Sequence, residues 1–191
     1  MRTFIAVDFQ TDILDKIEKI VTYLKTQTPA DALNWVTKDH LHLTLKFIGE
    51  VSTDKISHVK ALMAEVLQSS TVFTIEVKGL GLYPNANKPR VIWLGIEHNP
   101  VLVDIHERLD HALAQTQIRP DRRAFTPPLT ISRVRKNARP DQVRIIGETL
   151  SQFKISSLGI SQIENIRLYQ SELKPQGPTY TPLMTIRLNQ V

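Results

Sequence analysis

The chain has no cysteine. That excludes a disulfide framework, a thiolate nucleophile and any zinc site built on Cys ligands. No stretch approaches the roughly 18 consecutive apolar residues that a membrane-spanning helix needs. The opening Met1-Arg2-Thr3-Phe4-Ile5-Ala6-Val7 runs directly into polar sequence, without the apolar core and cleavage pattern of a secretory leader. A cytoplasmic protein with no membrane contact is expected. There is also no Gly-rich phosphate loop and no carboxylate cluster, so neither a cofactor nor a metal is expected.

What is present is a chain of 191 residues, 41% apolar, enough to bury a sizeable core. This length fits one domain over residues 1–191, or two small lobes sharing a core. The net charge of +5 is unevenly spread. Residues 119–144 hold Arg119, Arg122, Arg123, Arg133, Arg135, Lys136, Arg139 and Arg144, opposed only by Asp121 and Asp141. That segment alone exceeds the excess of the whole chain. Arginine dominates it, and the guanidinium fork matches phosphate geometry, so an anionic partner is the favoured reading over a merely solvated face.

Periodicity predicts alternating strands and helices. Strands are expected at residues 3–8, 33–36, 41–48, 72–77, 91–96 and 129–134. Four helices are expected on the apolar stripes of Ile13 to Leu24, Ile56 to Leu67, Leu102 to Leu113 and Val143 to Phe153. Thr11 or Asp12 is the expected cap of the first, and Ser52 or Thr53 of the second. The tail, residues 163–188, reads as two strands joined by a loop at 174–177. Val77-Lys78-Gly79-Leu80-Gly81-Leu82-Tyr83 is similar to Ile163-Glu164-Asn165-Ile166-Arg167-Leu168-Tyr169, and each runs into a proline-bearing loop. The fold class expected is α+β, with two pseudo-symmetric lobes, each an antiparallel sheet with outer helices, around a central cleft.

The chemistry sits on the strand His42-Leu43-Thr44-Leu45, echoed in part by Pro128-Leu129-Thr130-Ile131. Strand alternation predicts Leu41, Leu43, Leu45 and Phe47 on one face, and His40, His42, Thr44 and Lys46 on the other. Imidazole titrates near neutrality and can donate or accept a proton, and a neighbouring hydroxyl can hold a phosphoryl oxygen. With six His and 17 Thr, about 0.5 His-x-Thr matches arise by chance, so the spacing alone carries little.

The wider context carries more. His42-Leu43-Thr44-Leu45-Lys46-Phe47-Ile48-Gly49-Glu50, Gly79-Leu80-Gly81-Leu82-Tyr83-Pro84, Arg90-Val91-Ile92-Trp93-Leu94-Gly95, Arg123-Ala124-Phe125-Thr126-Pro127, Leu129-Thr130-Ile131, Arg133 and the closing Ser171-Glu172-Leu173, Pro175, Gly177-Pro178 and Tyr180 appear in one order. From end to end the chain resembles the RNA 2′,3′-cyclic phosphodiesterases, historically called 2′-5′ RNA ligases, of the 2H phosphoesterase superfamily. The resemblance implies metal-free hydrolysis of an RNA 2′,3′-cyclic phosphate end, or of a cyclic nucleotide, to a 2′-phosphate. A monomer is expected separately, because no exposed apolar stripe stands out in the sequence. The resemblance implies His42 as general acid toward the leaving 3′ oxygen. It implies Thr44 and Thr130 on the non-bridging phosphate oxygens, with Arg133 supporting the phosphate or the second strand. Tyr83, Tyr169 and Tyr180 either stack on a base or pack the core, and packing is the favoured reading.

One position departs from the family pattern. The second block has histidine directly before Leu-Thr, where this chain has Pro128. Proline has no ionisable group and no backbone donor, so it cannot act as the general base. A positioned base contributes about 10²–10⁴ in rate, so impaired turnover with retained phosphate binding is expected. The alternatives are a catalytically weakened RNA-end binding protein and a 2′-5′ RNA ligase, the reverse direction of cyclic-phosphate opening. Because Pro127-Pro128 falls where a strand begins, its missing N–H is expected to be tolerated.

Overall fold

The computed structural model describes residues 1–122, 124–175 and 177–190. Arg123, one of the basic-segment arginines, lies outside the described residues. In chain order the elements are β1 (Arg2–Asp8), α1 (Thr11–Gln27), β2 (Leu33–Trp35), β3 (His42–Glu50), α2 (Thr53–Leu67), β4 (Phe73–Tyr83), β5 (Val91–Ile96), α3 (Pro100–Ala114), β6 (Leu129–Val134), α4 (Pro140–Leu150), β7 (Gly159–Ile163), β8 (Asn165–Lys174) and β9 (Gly177–Arg187). A 3₁₀ turn, Lys38–His40, leads into β3.

The strands form two antiparallel sheets, β3-β1-β8-β9 and β2-β6-β5-β4-β7. The α+β class and the four helices agree with the periodicity. Each helix buries its apolar stripe: Ile13, Ile17, Val21 and Leu24 on α1, and Ile56, Val59, Met63 and Leu67 on α2. On α3 the stripe includes His106 among Leu102, Ile105, Leu109 and Leu113. Asn99 caps α3 by accepting from the Leu102 N–H at 3.0 Å, with Pro100 in the first turn, where its missing donor costs nothing.

The structure corrects or adds to the expectations in three places. The cap of α1 is Gln10, not Thr11 or Asp12, and its side chain does not cap the helix. Gln10 is instead tied to the second sheet: its N–H donates to Ser161 Oγ at 2.9 Å and its Oε1 accepts from Gln162 N at 2.8 Å. The tail at residues 163–188 holds the two expected strands, β8 and β9, but a further strand not read from the sequence, β7, precedes it, and the chain leaves one sheet at Ile163 and enters the other at Asn165.

The third correction concerns β3. Alternation holds through Leu45 and then slips. Ala6 pairs with Thr44 but Ile5 with Lys46, and Phe4 pairs with Phe47 but Thr3 with Gly49. Each slip is a β-bulge, which inserts an extra residue and re-aims the side chains beyond it. Gly49 takes up the second with φ +86°, a conformation that favours glycine. Leu45 and Lys46 are consequently both buried, while Phe47 is 65% exposed. Lys46 therefore does not share the face of His42 and Thr44.

Strand β6 repeats the device. Trp93 pairs with Thr130 and Ile92 with Ser132, which leaves Ile131 as the extra residue. Ile131 and Ser132 are both fully buried, and the next residue, Arg133, is exposed. The hexads His42-Leu43-Thr44-Leu45-Lys46-Phe47 and Pro128-Leu129-Thr130-Ile131-Ser132-Arg133 thus share one burial pattern from the second residue onward. Lys46 corresponds to Ser132 and Phe47 to Arg133.

Candidate active site

The two hexads meet at a cleft of about 520 Å³, lined by His42, Thr44, Phe47, Pro128, Thr130 and Arg133, with Phe4 and Tyr180 among the other walls. All five residues singled out in the sequence are therefore brought together. Strand β6 is held from both sides, since Arg133 pairs with Asn34 of β2 and with Val91 of β5. Val36 N also donates to Ile131 O at 2.9 Å. The positions of Thr130 and Arg133 are thereby fixed by strand pairing rather than by a loop. Pro128 stands one residue before β6, so its missing N–H breaks no ladder.

His42 is enclosed by aromatic rings. It stacks on Phe4 with ring centroids 4.8 Å apart and on Tyr169 at 5.7 Å, and Tyr180 presents its edge at 4.9 Å. Burial, aided by the neighbouring charge of His40, lowers the His42 pKa to about 4. At neutral pH, only about one molecule in a thousand carries the proton in the empty cleft. Thr44 and Thr130 are half-buried, and among the described residues neither hydroxyl is engaged by another side chain. The cleft thus offers the hydroxyls of Thr44 and Thr130, the guanidinium groups of Arg2 and Arg133 and the imidazoles of His40 and His42, a set suited to an anionic, phosphate-like group.

The tyrosines divide. Tyr169 is 8% exposed, and its hydroxyl donates to Asp8 Oδ1 at 2.8 Å, so it packs. Tyr180 borders the cleft and is half-buried. Tyr83 is 56% exposed and lines a second, mostly apolar cavity of about 560 Å³ with Trp93, Phe125 and His98. That cavity shares Pro127, Pro128, Thr130 and Arg133 with the cleft. The Trp93 ring in its wall lies against Gly81, where a Cβ would be 2.0 Å from Cζ2.

Sequence reasoning missed the support beneath Pro128. The Lys46 ammonium lies 2.5 Å from Asp110 Oδ1 and 3.1 Å from Asp121 Oδ1, and donates to Arg119 O at 2.8 Å. Asp121 N donates to Asp110 Oδ1 at 3.0 Å. His106 Nδ1 lies 2.9 Å from Leu45 O, in position to donate to it, and the His106 ring stacks on Phe125 at 4.0 Å. Burial pushes the Asp110 carboxyl up, but hydrogen bonds from Lys46 and the Asp121 N–H, with the nearby positive charge, outweigh it and hold the pKa below the ordinary range. A buried lysine is rare unless paired. No local signal marks Lys46 as buried, because the bulge in β3 is set by pairing with β1.

The basic segment also divides. Arg139 pairs with Asp31 and Asp141, and Arg144 with Glu148. Arg133 and Arg135 instead face cavities.

Two antiparallel sheets meeting at a His/Thr and Thr/Arg cleft define a 2H-type phosphoesterase. The LigT like Phosphoesterase family profile matches residues 7–93, a stretch that contains His42 and Thr44 and ends before Pro128. The chain is 34% identical over 190 residues to the RNA 2′,3′-cyclic phosphodiesterase of Methanothermobacter thermautotrophicus, covering 98% of this chain and 99% of that one. It is 31% identical to the Archaeoglobus fulgidus protein of the same name, covering 96% and 98%. Its fold matches Escherichia coli LigT complexed with 3′-AMP at a TM-score of 0.77 and 25% identity, over 99% and 98% of the two chains. A structure from Thermus thermophilus matches at 0.78 and 25%, over 100% and 99%. The chain belongs to the LigT-like RNA 2′,3′-cyclic phosphodiesterase family.

Proposed function

We propose that this chain binds RNA 2′,3′-cyclic phosphate ends and hydrolyses them to 2′-phosphate ends, at a rate limited by Pro128. The observation that carries this reading is the convergence of His42, Thr44, Thr130 and Arg133 on one cleft. Water attacks phosphorus, the bond from phosphorus to the 3′ oxygen breaks, and that oxygen takes a proton from His42. Thr44 and Thr130 donate to the non-bridging oxygens, and Arg133 balances their charge. The proton released by the attacking water passes to solvent, because Pro128 offers no imidazole to take it.

His42 with a pKa of about 4 suits the acid role only once an anion is bound. A phosphate beside the ring opposes the burial that lowers the pKa and brings the proton with it. In this reading the whole chain, residues 1–191, acts as one bilobal, monomeric unit in the cytoplasm. In keeping with this, no helix among the described residues is long and apolar enough to cross a membrane.

The second reading, an RNA-end binding protein with little turnover, is favoured by Pro128 alone. Hydrolysis of a nucleoside 2′,3′-cyclic phosphate, followed by chromatography of the 2′-phosphate, separates the two. Turnover that disappears in His42→Ala supports the enzyme. Tight binding with no turnover above background supports the binding protein.

A further inference from the structure

Beside the cleft lies a larger groove of about 820 Å³, bordered by Lys25, Trp35, Arg133, Arg135 and Pro175, with Tyr180 at the junction. It shares Val36, His40, Arg133, Pro178 and Tyr180 with the cleft, so the two are continuous. Its charge is one-sided. Three cations line it and, among the described residues, no carboxylate does. The neighbouring Arg139, which precedes α4, and Arg144 within it are held in surface ion pairs. Among the described residues, Lys25, Arg133 and Arg135 enter none. The apolar cavity that also borders Arg133 contains Glu97 and, among the described residues, no further lysine or arginine.

The positions of these groups are set by backbone. Lys25 is in the last turn of α1. Arg135 N donates to Ala32 O at 2.9 Å, and its Nε donates to Leu33 O at 3.4 Å, which holds the guanidinium over β2. Trp35 is half-buried on the same strand. A cationic path with an accessible aromatic face is how proteins follow single-stranded nucleic acid without reading its sequence.

We infer that this groove is a subsite for the nucleotide 5′ of the terminal one, so that the preferred ligand is an oligoribonucleotide rather than a mononucleotide. Its internal phosphate lies against Lys25 and Arg135, and its base stacks on Trp35. This inference rests on the reading of the cleft as the site for the RNA end, and extends that site along the strand.

The test compares two stable probes, a nucleoside 3′-monophosphate and a trinucleotide ending in a 3′-phosphate, titrated against the full chain and against Lys25→Gln/Arg135→Gln. Both residues are exposed, and a thermal melt checks that the variant folds. The trinucleotide is expected to bind at least about tenfold tighter than the mononucleotide. Its affinity is expected to depend more steeply on salt, by about 0.7 in log–log slope for each extra phosphate neutralised. The double variant is expected to remove most of that advantage and the extra slope, while leaving mononucleotide affinity within about twofold. Equal affinity for the two probes, or a variant that weakens both equally, overturns the subsite and leaves the cleft reading intact. A chain that binds neither probe overturns both. A Trp35→Ala variant that keeps the full trinucleotide advantage refutes the stacking half of the inference.

Discussion

The Lys46 ammonium sits 2.5 Å from the Asp110 carboxylate, joining β3 to α3 at the interior side of the cleft. Through Arg119 O and Asp121 the same ammonium holds the segment that leads to Pro127 and Pro128. One buried charge thus links the strand that carries His42 to the approach of β6. The stacking of His106 on Phe125 adds a second, apolar hold on that segment.

The two partners differ in access to water, and the difference predicts an unequal cost. Lys46 is 1% exposed, Asp110 16% and Asp121 44%. Asp110→Asn leaves a buried ammonium short of its closest counter-charge and is expected to cost about 3 kcal/mol. Lys46→Met leaves carboxylates that water can reach, and is expected to cost about 1–2 kcal/mol. Urea denaturation of both variants checks the order, and a larger loss for Lys46→Met would contradict it.

Restoring the absent imidazole is expected to raise the rate. Pro128→His places a base one residue before β6, where the backbone loses nothing by the exchange. Hydrolysis of a nucleoside 2′,3′-cyclic phosphate is expected to rise by about 10² or more at neutral pH. An unchanged rate would show that position 128 does not limit turnover.

The pH dependence of kcat/KM reports the free enzyme. A general acid with a pKa of about 4 is deprotonated progressively above that value. With no partner base, kcat/KM is expected to fall about tenfold per unit as pH rises from about 5 to about 7. In Pro128→His, the growing fraction of unprotonated base offsets this loss, and the profile is expected to be level up to about 6.5. A level profile in the unmodified chain would refute the assignment of His42 as the acid.

The same group shapes stability. His42 has an unfolded pKa of 6.5 and a folded value of about 4. Between these values the unfolded chain binds more protons, so stability is full above about pH 6.5 and declines as pH falls toward about 4. The loss attributable to His42 is about 3 kcal/mol. His42→Phe keeps the stack on Phe4 and removes the titration, so denaturation curves of the variant are expected to lose that part of the acid sensitivity.

The elements were legible in the sequence because amphipathic helices announce themselves at a spacing of about 3.6 residues, and the four stripes here are regular. The site was legible through its residue types: His42, Thr44, Thr130 and Arg133 do line one cleft. What alternation could not show was the fate of Lys46 and Phe47. The bulges that exchange their sides arise from the register between β3 and β1, which is a tertiary fact. The run of arginines was likewise uniform along the chain, yet Arg139 and Arg144 found acidic neighbours on the surface while Arg133 and Arg135 did not. Gln10 escaped notice because its partners, Ser161 and Gln162, lie at the far end of the chain.

The paired bulges give the cleft a direction. In each hexad the sixth residue returns to the cleft wall, and the two walls return different chemistry: a phenyl ring from Phe47 and a guanidinium from Arg133. A phosphodiester that entered a site with matching walls could lie either way round. In the proposed reading, Arg133 would draw the anionic oxygens toward β6 and leave the ribose carbons toward Phe47 and Phe4. The mismatch between positions 47 and 133 would then favour one of the two ester oxygens facing His42, before any proton moves.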